Sequence, residues 1–534
     1  MLRHNESSFI GLGTLGFNVL HHTYVKTYIM LAIVYTVFFL YVWKIYLRRL
    51  SSPLKGLPGP KVSYTLLGNS KAVFSDPVGK QISNWLETIP NKGLIYFRGT
   101  LGSEYLVPTS VEALADVLCN NTYDYTKTSG FRKFTDRFIG QGLLTAEGEL
   151  HRQLIRLGGP VFIERRINDL KPILSSKARQ LCQQLLQESV CVNNSLEKPE
   201  HKIIDLAPWA SRVALDVSGI VSVGVDYNTI SDKHSPMFAA YQIIFSSSEN
   251  RKAHFTWHNS APRFLLGLKH SKLDKEMDSA INSIRKTVKQ VAEDNKKRGE
   301  KTSNGLIELD FMSQMISTEA FGTDTCIDQT LLMLAAGHET TSATICWLVL
   351  ELAKNAKIQS DLRAEVLDFL RQGSMDSNDF DNLPILNAVC CETLRLHPGV
   401  PMTLRKSIRN TYIQDQLVPA GSYVAIVPVA INTCTQFWGE NAKEFCPERW
   451  LKKSADGTCF DPMGGAPSKH CFQTFLHGPR GCIGRSIAIA EIKRVIATLL
   501  THFSILPDLG PIPDGGGIIA SHPKGGANAE LRTI

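Results

Sequence analysis

Near its C-terminus the chain reads Phe475-Leu-His-Gly478-Pro-Arg480-Gly-Cys482-Ile-Gly484. One cysteine thus sits in a turn that opens onto an amphipathic, helix-like stretch at residues 485–503. A cysteine at a helix N-terminus with an arginine nearby should ionise readily, because the helix dipole and the guanidinium both favour the anion. Glycines on either side let the backbone approach a flat macrocycle closely, where a Cβ would collide. Phe475 is placed to pack beside the sulfur and keep water from it. An ordinary loop with a buried cysteine is the plain alternative. Chance does not favour it: at a few per cent usage per residue type, Phe-x-x-Gly-x-Arg-x-Cys-x-Gly arises roughly once in ten million start positions.

This segment resembles the haem-binding loop of the cytochrome P450 family. The resemblance implies haem b with Cys482 as the axial thiolate and the protein's ligand to iron, and Phe475, Gly478, Arg480 and Gly484 around the cofactor. It also implies a mainly α fold with small β-sheets. Thiolate donation favours O–O cleavage, the reason for cysteine rather than histidine at such an iron.

Upstream, residues 327–354 read as one long helix containing Ala336-Gly337-His338-Glu339-Thr340-Thr341. His338 and Glu339 at its centre argue against a membrane span. Gly337 weakens a helix and marks a place for local opening of its ladder. The hexamer is similar to the family's oxygen-binding helix, which implies that Thr340 hydrogen-bonds the reacting dioxygen and Glu339 feeds protons inward through water. Glu392-Thr-Leu-Arg395 puts a carboxylate and a guanidinium on one helical face. Glu491-Ile-Lys-Arg494 has the same form, so the pair alone says little; position separates them, since Leu396-His397-Pro398 follows the first, as in the family. Phe445-Cys-Pro447-Glu448-Arg449-Trp450 resembles the segment whose arginine joins that pair in a structural network. Arg405, Arg480 and His151 match positions that reach haem propionates. Two departures from the family pattern are Ile155, where an arginine is usual, and Thr474, where a proline is usual.

At the other end, residues 27–47 form a mainly apolar run just long enough to span a bilayer if Lys44 snorkels. Tyr28, Tyr41, Trp43 and Tyr46 lie near its ends, and more cations follow it than precede it. This reads as a retained transmembrane anchor with residues 1–26 lumenal and the body cytosolic, in the endoplasmic reticulum membrane. Gly11-Leu-Gly13-Thr-Leu-Gly16 fits a dinucleotide pattern but follows no strand, and is set aside. Asn5-Glu-Ser7 is a glycosylation sequon usable only if the tail is lumenal. Residues 48–60, rich in proline and glycine, read as a stiff, bent hinge.

The remainder, residues 61–534, reads as a single helix-rich catalytic domain with β-like pieces at 94–97, 423–427 and 518–520 and loops at 193–202, 295–304, 372–379 and 452–469. The net charge of +8 is mild and no basic run interleaves with aromatics, so there is no case for nucleic acid. The twelve cysteines contain no zinc-type pair. No flavin or nicotinamide site is evident, so electrons must come from a partner. By resemblance that partner is an NADPH-cytochrome P450 reductase, and Lys469, Arg485, Lys493 and Arg494 form a candidate docking cluster.

The implied activity is insertion of one oxygen atom from O2 into a hydrophobic small molecule. Segments 131–138, 237–257, 332–336, 400–403 and 517–520 would line the pocket by analogy. Glu339-Thr-Thr, Gly148-Glu-Leu-His151 and Trp438-Gly439 look most like filamentous-fungal members, many of which tailor terpenoids, meroterpenoids or polyketides. The alternatives are a fatty-acid hydroxylase, a reductase-independent haem-thiolate isomerase or dehydratase, and a catalytically silent haem sensor.

Overall fold

The computed structural model describes residues 26–40, 43, 51–61, 67–193, 203–245, 272–299, 310–454, 457–508, 510–517 and 519–534, with backbone alone at 189–193 and 295–299. The tail at 1–25, with Asn5 and the rejected glycine motif, lies outside these residues, as do 41, 42 and 44–50. Residues 26–40 are helical, and Tyr28, Leu31, Val34 and Phe38 are each more than half accessible. Among the described residues no helix is long and apolar enough to cross a membrane.

After that segment the main helices are α1 Lys80–Thr88, α2 Ser129–Ile139, α3 Gly148–Gly158, α4 Glu164–Asn193, α5 Ala207–Val223 and α6 Pro236–Phe245. They continue as α7 Lys272–Gly299, α8 Phe311–Ser317, α9 Thr323–Lys354, α10 Ala356–Leu370, α11 Pro384–Leu396 and α12 Arg485–His502. The fold is mainly helical with small sheets, as the sequence implies.

Helix α9 organises the body. Its 32 residues span about 48 Å, and it begins four residues before the expected start. Most side chains from Cys326 to Ala353 are buried, as befits a helix apolar on nearly all sides. Helix α5 packs along it, and α12, α11 and α10 pack on its C-terminal half.

The largest sheet joins β1 Leu94–Arg98, β2 Glu104–Pro108, β3 Tyr125–Thr126, β5 Thr403–Ser407 and β6 Tyr423–Ile426 in the order β1-β2-β6-β5-β3. Only the β2–β6 pair is parallel. Strands β4 Ile203–Asp205, β7 Phe503–Pro507 and β8 Asn528–Thr533 form a second sheet. The β1 and β6 pieces fall where the sequence places them.

In the proline-rich segment Leu54 is fully buried, and Pro58 O accepts from Tyr96 N–H at 2.8 Å, so this stretch packs on the body. Three local readings change. The loop at 452–469 contains a hairpin, Leu451–Ser454 with Gly457–Phe460, whose Phe460 stacks on Trp450 at 6.2 Å. The charged stretch from 295 stays helical to Gly299, as the good helix propensity of lysine and arginine allows. Residues 519–520 form a bend, flanked by the short paired strands Gly515–Gly516 and His522–Pro523.

Candidate active site

The Cys482 loop is closed by its own backbone: Cys482 N–H donates to Phe475 O at 2.8 Å, and Gly481 N–H to Gly478 O at 3.0 Å. Gly478 has φ +72, and a Cβ there would lie 2.0 Å from Leu118 O, so its missing side chain serves an approach to the protein's own backbone. Gly484 is the N-cap of α12 and has open space around it. The arginine beside the sulfur is Arg485, whose guanidinium lies 5.5 Å from the centre of the Phe475 ring. Cys482 is exposed as a residue, yet its thiol is embedded in the loop. Burial pushes that thiol's pKa up, and the Gly484 and Arg485 N–H groups and the Arg485 charge only partly offset this. The readily ionised cysteine expected from the helix dipole is therefore not delivered by the protein alone.

Arg480 and Arg405 converge although 75 residues separate them in sequence. Strand β5 carries Arg405, 4% exposed, with Nη1 donating to Thr403 Oγ1 at 3.2 Å. Arg480 donates to Ala146 O at 3.0 Å and pairs with Glu147, while its Nε has no partner among the described residues. Lys127 joins them, 7% exposed, with Nζ donating to Thr403 Oγ1 at 3.0 Å. His151 on α3 is 2% exposed, its Nδ1 3.2 Å from Tyr123 Oη. Burial, then Arg480 and Arg405, push His151 down to about 4, so it stays neutral. Burial, then Arg480, lowers Arg405 to about 10, and burial with both arginines drives Lys127 well down. Three buried cations here face one carboxylate, Glu147.

On α9, Thr340 Oγ1 donates to Ala336 O at 2.9 Å. Glu339 is 6% exposed, and its Oε1 accepts from His522 Nε2 at 3.1 Å. The helix runs unbroken through 336–341. The absent side chain of Gly337 accommodates α5, since a Cβ would meet Ser218 Oγ at 2.6 Å. Of the expected lining segments, Phe138, Met237 and Leu332 lie in one apolar cluster, with Phe245 and Ile483, the neighbour of Cys482, packed against it. Residues 246–257 and 518 lie outside the described residues.

The sequence profile of the cytochrome P450 family matches residues 58–526. The chain belongs to the cytochrome P450 family. It is 31% identical over 502 residues to cytochrome P450 monooxygenase sphH of Aspergillus fumigatus, covering 90% of this chain and 89% of that protein. It is 32% identical to cytochrome P450 monooxygenase ptmK of Penicillium ochrochloron, covering 90% and 94%. Against cytochrome P450 monooxygenase ALT8 of Alternaria alternata the identity is 30%, covering 87% and 86%. As a P450 it is a haem-thiolate monooxygenase, of a family whose iron takes a cysteine thiolate as axial ligand.

The residues present in this P450 fit that cofactor. Haem b brings two carboxylates, the negative charge that Lys127, Arg405 and Arg480 need beyond the single Glu147 that pairs with Arg480, and a planar guanidinium suits a carboxylate well. An iron at the sulfur would favour the thiolate that the protein by itself does not. Behind the site, Glu392 takes hydrogen bonds from Arg395 Nε and Nη2 (both 2.8 Å), Arg449 Nε (2.9 Å), Cys446 N–H (2.9 Å) and Trp450 Nε1 (2.8 Å). Burial alone would raise the Glu392 pKa, but the bonds from Arg395 and the charges of Arg395 and Arg449 lower it overall. Thr474 replaces proline usefully: its hydroxyl donates to Leu394 O at 2.6 Å and accepts from Asn432 Nδ2 at 2.8 Å, tying the cysteine loop to α11.

The docking cluster read from sequence does not survive in this P450. Lys493 and Arg494 are buried, donating to Asp381 O at 2.7 Å and Asp381 Oδ1 at 2.9 Å, because α12 is enclosed by α4, α10 and α11. Lys469 and Arg485 remain exposed. Arg152 and Arg156, which flank the position at 155, are both exposed; Arg152 pairs with Glu149 and lies 4.2 Å from the centre of the Tyr123 ring, which Arg480 approaches at 5.7 Å, so it borders the cation cluster without being buried in it. Lys127 and His522 carry no local motif, and sequence reasoning missed both.

Proposed function

We propose that Cys482 holds the haem iron, that Lys127, Arg405, Arg480 and His151 line its propionate edge, and that this P450 oxidises a hydrophobic secondary metabolite of terpenoid, meroterpenoid or polyketide type. The observation that carries the reading is the excess of buried cations beside the Cys482 loop, Lys127, Arg405 and Arg480 against the one carboxylate Glu147 among the described residues. When bound, haem supplies the site for dioxygen and, with two electrons and two protons, one oxygen atom for the substrate and one for water. The chain's own part is to hold Thr340 and Glu339 in register on α9, to exclude water with apolar side chains, and to supply protons. Electrons come from an NADPH-dependent reductase. The apolar run at 27–47 anchors the chain in the endoplasmic reticulum membrane with the body in the cytosol; the apolar side chains displayed by residues 26–40 support that reading, and glycosylation of Asn5 tests it.

Reduced, carbon-monoxide-treated protein should show the red-displaced Soret absorption of a cysteinate ligand, and Cys482→Ala should lose it. Retention of the band in that variant overturns the assignment. Terpenoids, polyketides and fatty acids, screened by spin shift and product mass in reductase-containing microsomes, then decide the substrate class. A response to fatty acids alone overturns the secondary-metabolite reading.

A further inference from the structure

Glu339 is sealed inside the body, and among the described residues one side chain reaches its carboxylate with a hydrogen bond: His522, Nε2 to Oε1, 3.1 Å. The imidazole bridges two environments, for the His522 side chain is 24% exposed and that of Glu339 is 8%. The contact is built. His522 follows Ser521, whose N–H donates to Gly399 O at 2.8 Å and whose carbonyl accepts from Trp347 Nε1 on α9 at 2.6 Å. Gly399 in turn leaves no slack against Thr340, since a Cβ there would stand 3.3 Å from Thr340 Cβ. Thr340, Glu339 and His522 are therefore positioned as one unit.

The neighbouring titratable groups do not offer the same link. His338 sends its Nε2 to Ser211 Oγ at 2.7 Å, with the Tyr241 and Phe245 rings at 5.0 and 6.0 Å, while its Nδ1 stands 3.9 Å from Glu339 Oε2, too far for a hydrogen bond, and burial keeps the ring neutral. The Cys346 thiol, raised by burial and then by Asp205 and Glu339, is fully enclosed. Lys524, on the same hairpin as His522, pairs with Asp76 at 3.5 Å.

We propose that His522 is the proton-exchange group between solvent and Glu339, a positioning and relay residue for the oxidation. Once Glu339 has passed its proton inward, imidazolium Nε2–H gives its proton to Glu339 Oε1 and leaves the Nδ1–H tautomer; the partly exposed ring then turns its bare Nε2 to solvent, takes a proton from hydronium and returns. The inference rests on the role proposed above for Glu339.

The test compares wild-type holoenzyme with His522→Gln, His522→Ala and Glu339→Gln, each first shown to keep the cysteinate carbon-monoxide band. Glutamine can still donate a hydrogen bond to Glu339 but cannot carry a proton. His522→Gln should therefore behave like His522→Ala, with product formed per electron consumed falling about tenfold, a larger solvent deuterium isotope effect, and an altered pH profile. If His522→Gln matches wild type while His522→Ala is impaired, the residue only holds the carboxylate and the relay is refuted. If Glu339→Gln uncouples but neither His522 variant does, the relay alone fails; if Glu339→Gln has no effect, the role of Glu339 fails. A readout without turnover is labelling of His522 by diethyl pyrocarbonate in substrate-free protein, followed by peptide mass. Loss of the carboxylate partner in Glu339→Gln should speed labelling several-fold, and equal rates would refute the pairing.

Discussion

Lys127 shows how a single side chain can be set against the stability of its own protein. Its ammonium is buried, bonded to Thr403 Oγ1 and 5.4 Å from the centre of the Phe131 ring, and repelled by Arg405 and Arg480, with Glu147 the one carboxylate acting in its favour among the described residues. A buried charge without a matching partner is a net cost, whereas the same charge beside a carboxylate is satisfied. Lys127→Met should accordingly stabilise the cofactor-free protein, raising its urea midpoint, and yet speed haem loss to a scavenging apoprotein by about tenfold. A variant that is both less stable and equally retentive would mean that the lysine serves the fold. The sequence made Cys482, Arg480, Arg405 and His151 legible because each lies in or near a recognisable pattern. Lys127 is different: what gives it meaning is residues 403, 405, 480 and 147, brought to it by β5, the cysteine loop and the start of α3, so no local spacing could announce it.

Helices α5 and α9 meet where Gly337 faces Ser218. Two opposed effects act on Gly337→Ala: alanine gains about 1 kcal/mol of helix propensity, and its Cβ would sit 2.6 Å from Ser218 Oγ, with overpacking costing roughly 1–3 kcal/mol. Overpacking should win in the wild-type background. With Ser218→Ala the nearest remaining atom is a Cβ at 3.5 Å, an ordinary contact, so Gly337→Ala should become neutral or stabilising there. A double-mutant cycle on urea midpoints reads this directly, and additivity within about 0.5 kcal/mol would dismiss the contact. The long apolar period of α9 made that helix readable within a few residues. In α12 the helix was legible to within a residue but its buried faces were not, because a helix enclosed on several sides has little solvated surface, and Lys493 and Arg494 looked superficial until Asp381 appeared between them. The hairpin at 451–460 was missed for a similar reason: its side chains are largely exposed, and the packing of Leu451 and Phe460 on the core is not a pattern of alternation.

For the molecule as a whole, the buried neutral histidines set an acid limit that differs from that of its carboxylates. His338 is driven down to about 4 by burial, against the pull of Glu339 and with a push from His522; His151 is lowered to about 4 as well. In the unfolded chain both titrate near 6.5. Between those values the unfolded chain binds protons that the folded chain does not, so their contribution is full above pH 6.5, falls as the pH drops towards 4, and levels off below. At about 1.4 kcal/mol per unit, the loss between pH 7 and pH 5 is roughly 2 kcal/mol for each histidine. Glu392 and Asp381, held below the ordinary carboxylate range by their arginine and lysine partners despite burial, lose their contribution only at lower pH. Glu491, pushed well up by burial, works the other way, since the folded chain holds a proton that the unfolded chain releases, so a comparison with a His338 variant, and not the window from pH 6.5 to 5 by itself, isolates that histidine. His338→Gln, which keeps a side-chain amide for Ser211 and removes the titration, should lessen the fall in urea midpoint across that window by about 2 kcal/mol in the unfolding free energy. An unchanged slope would mean that His338 takes up its proton in the folded molecule, and Ser211 would then have to accept from the ring rather than donate to it.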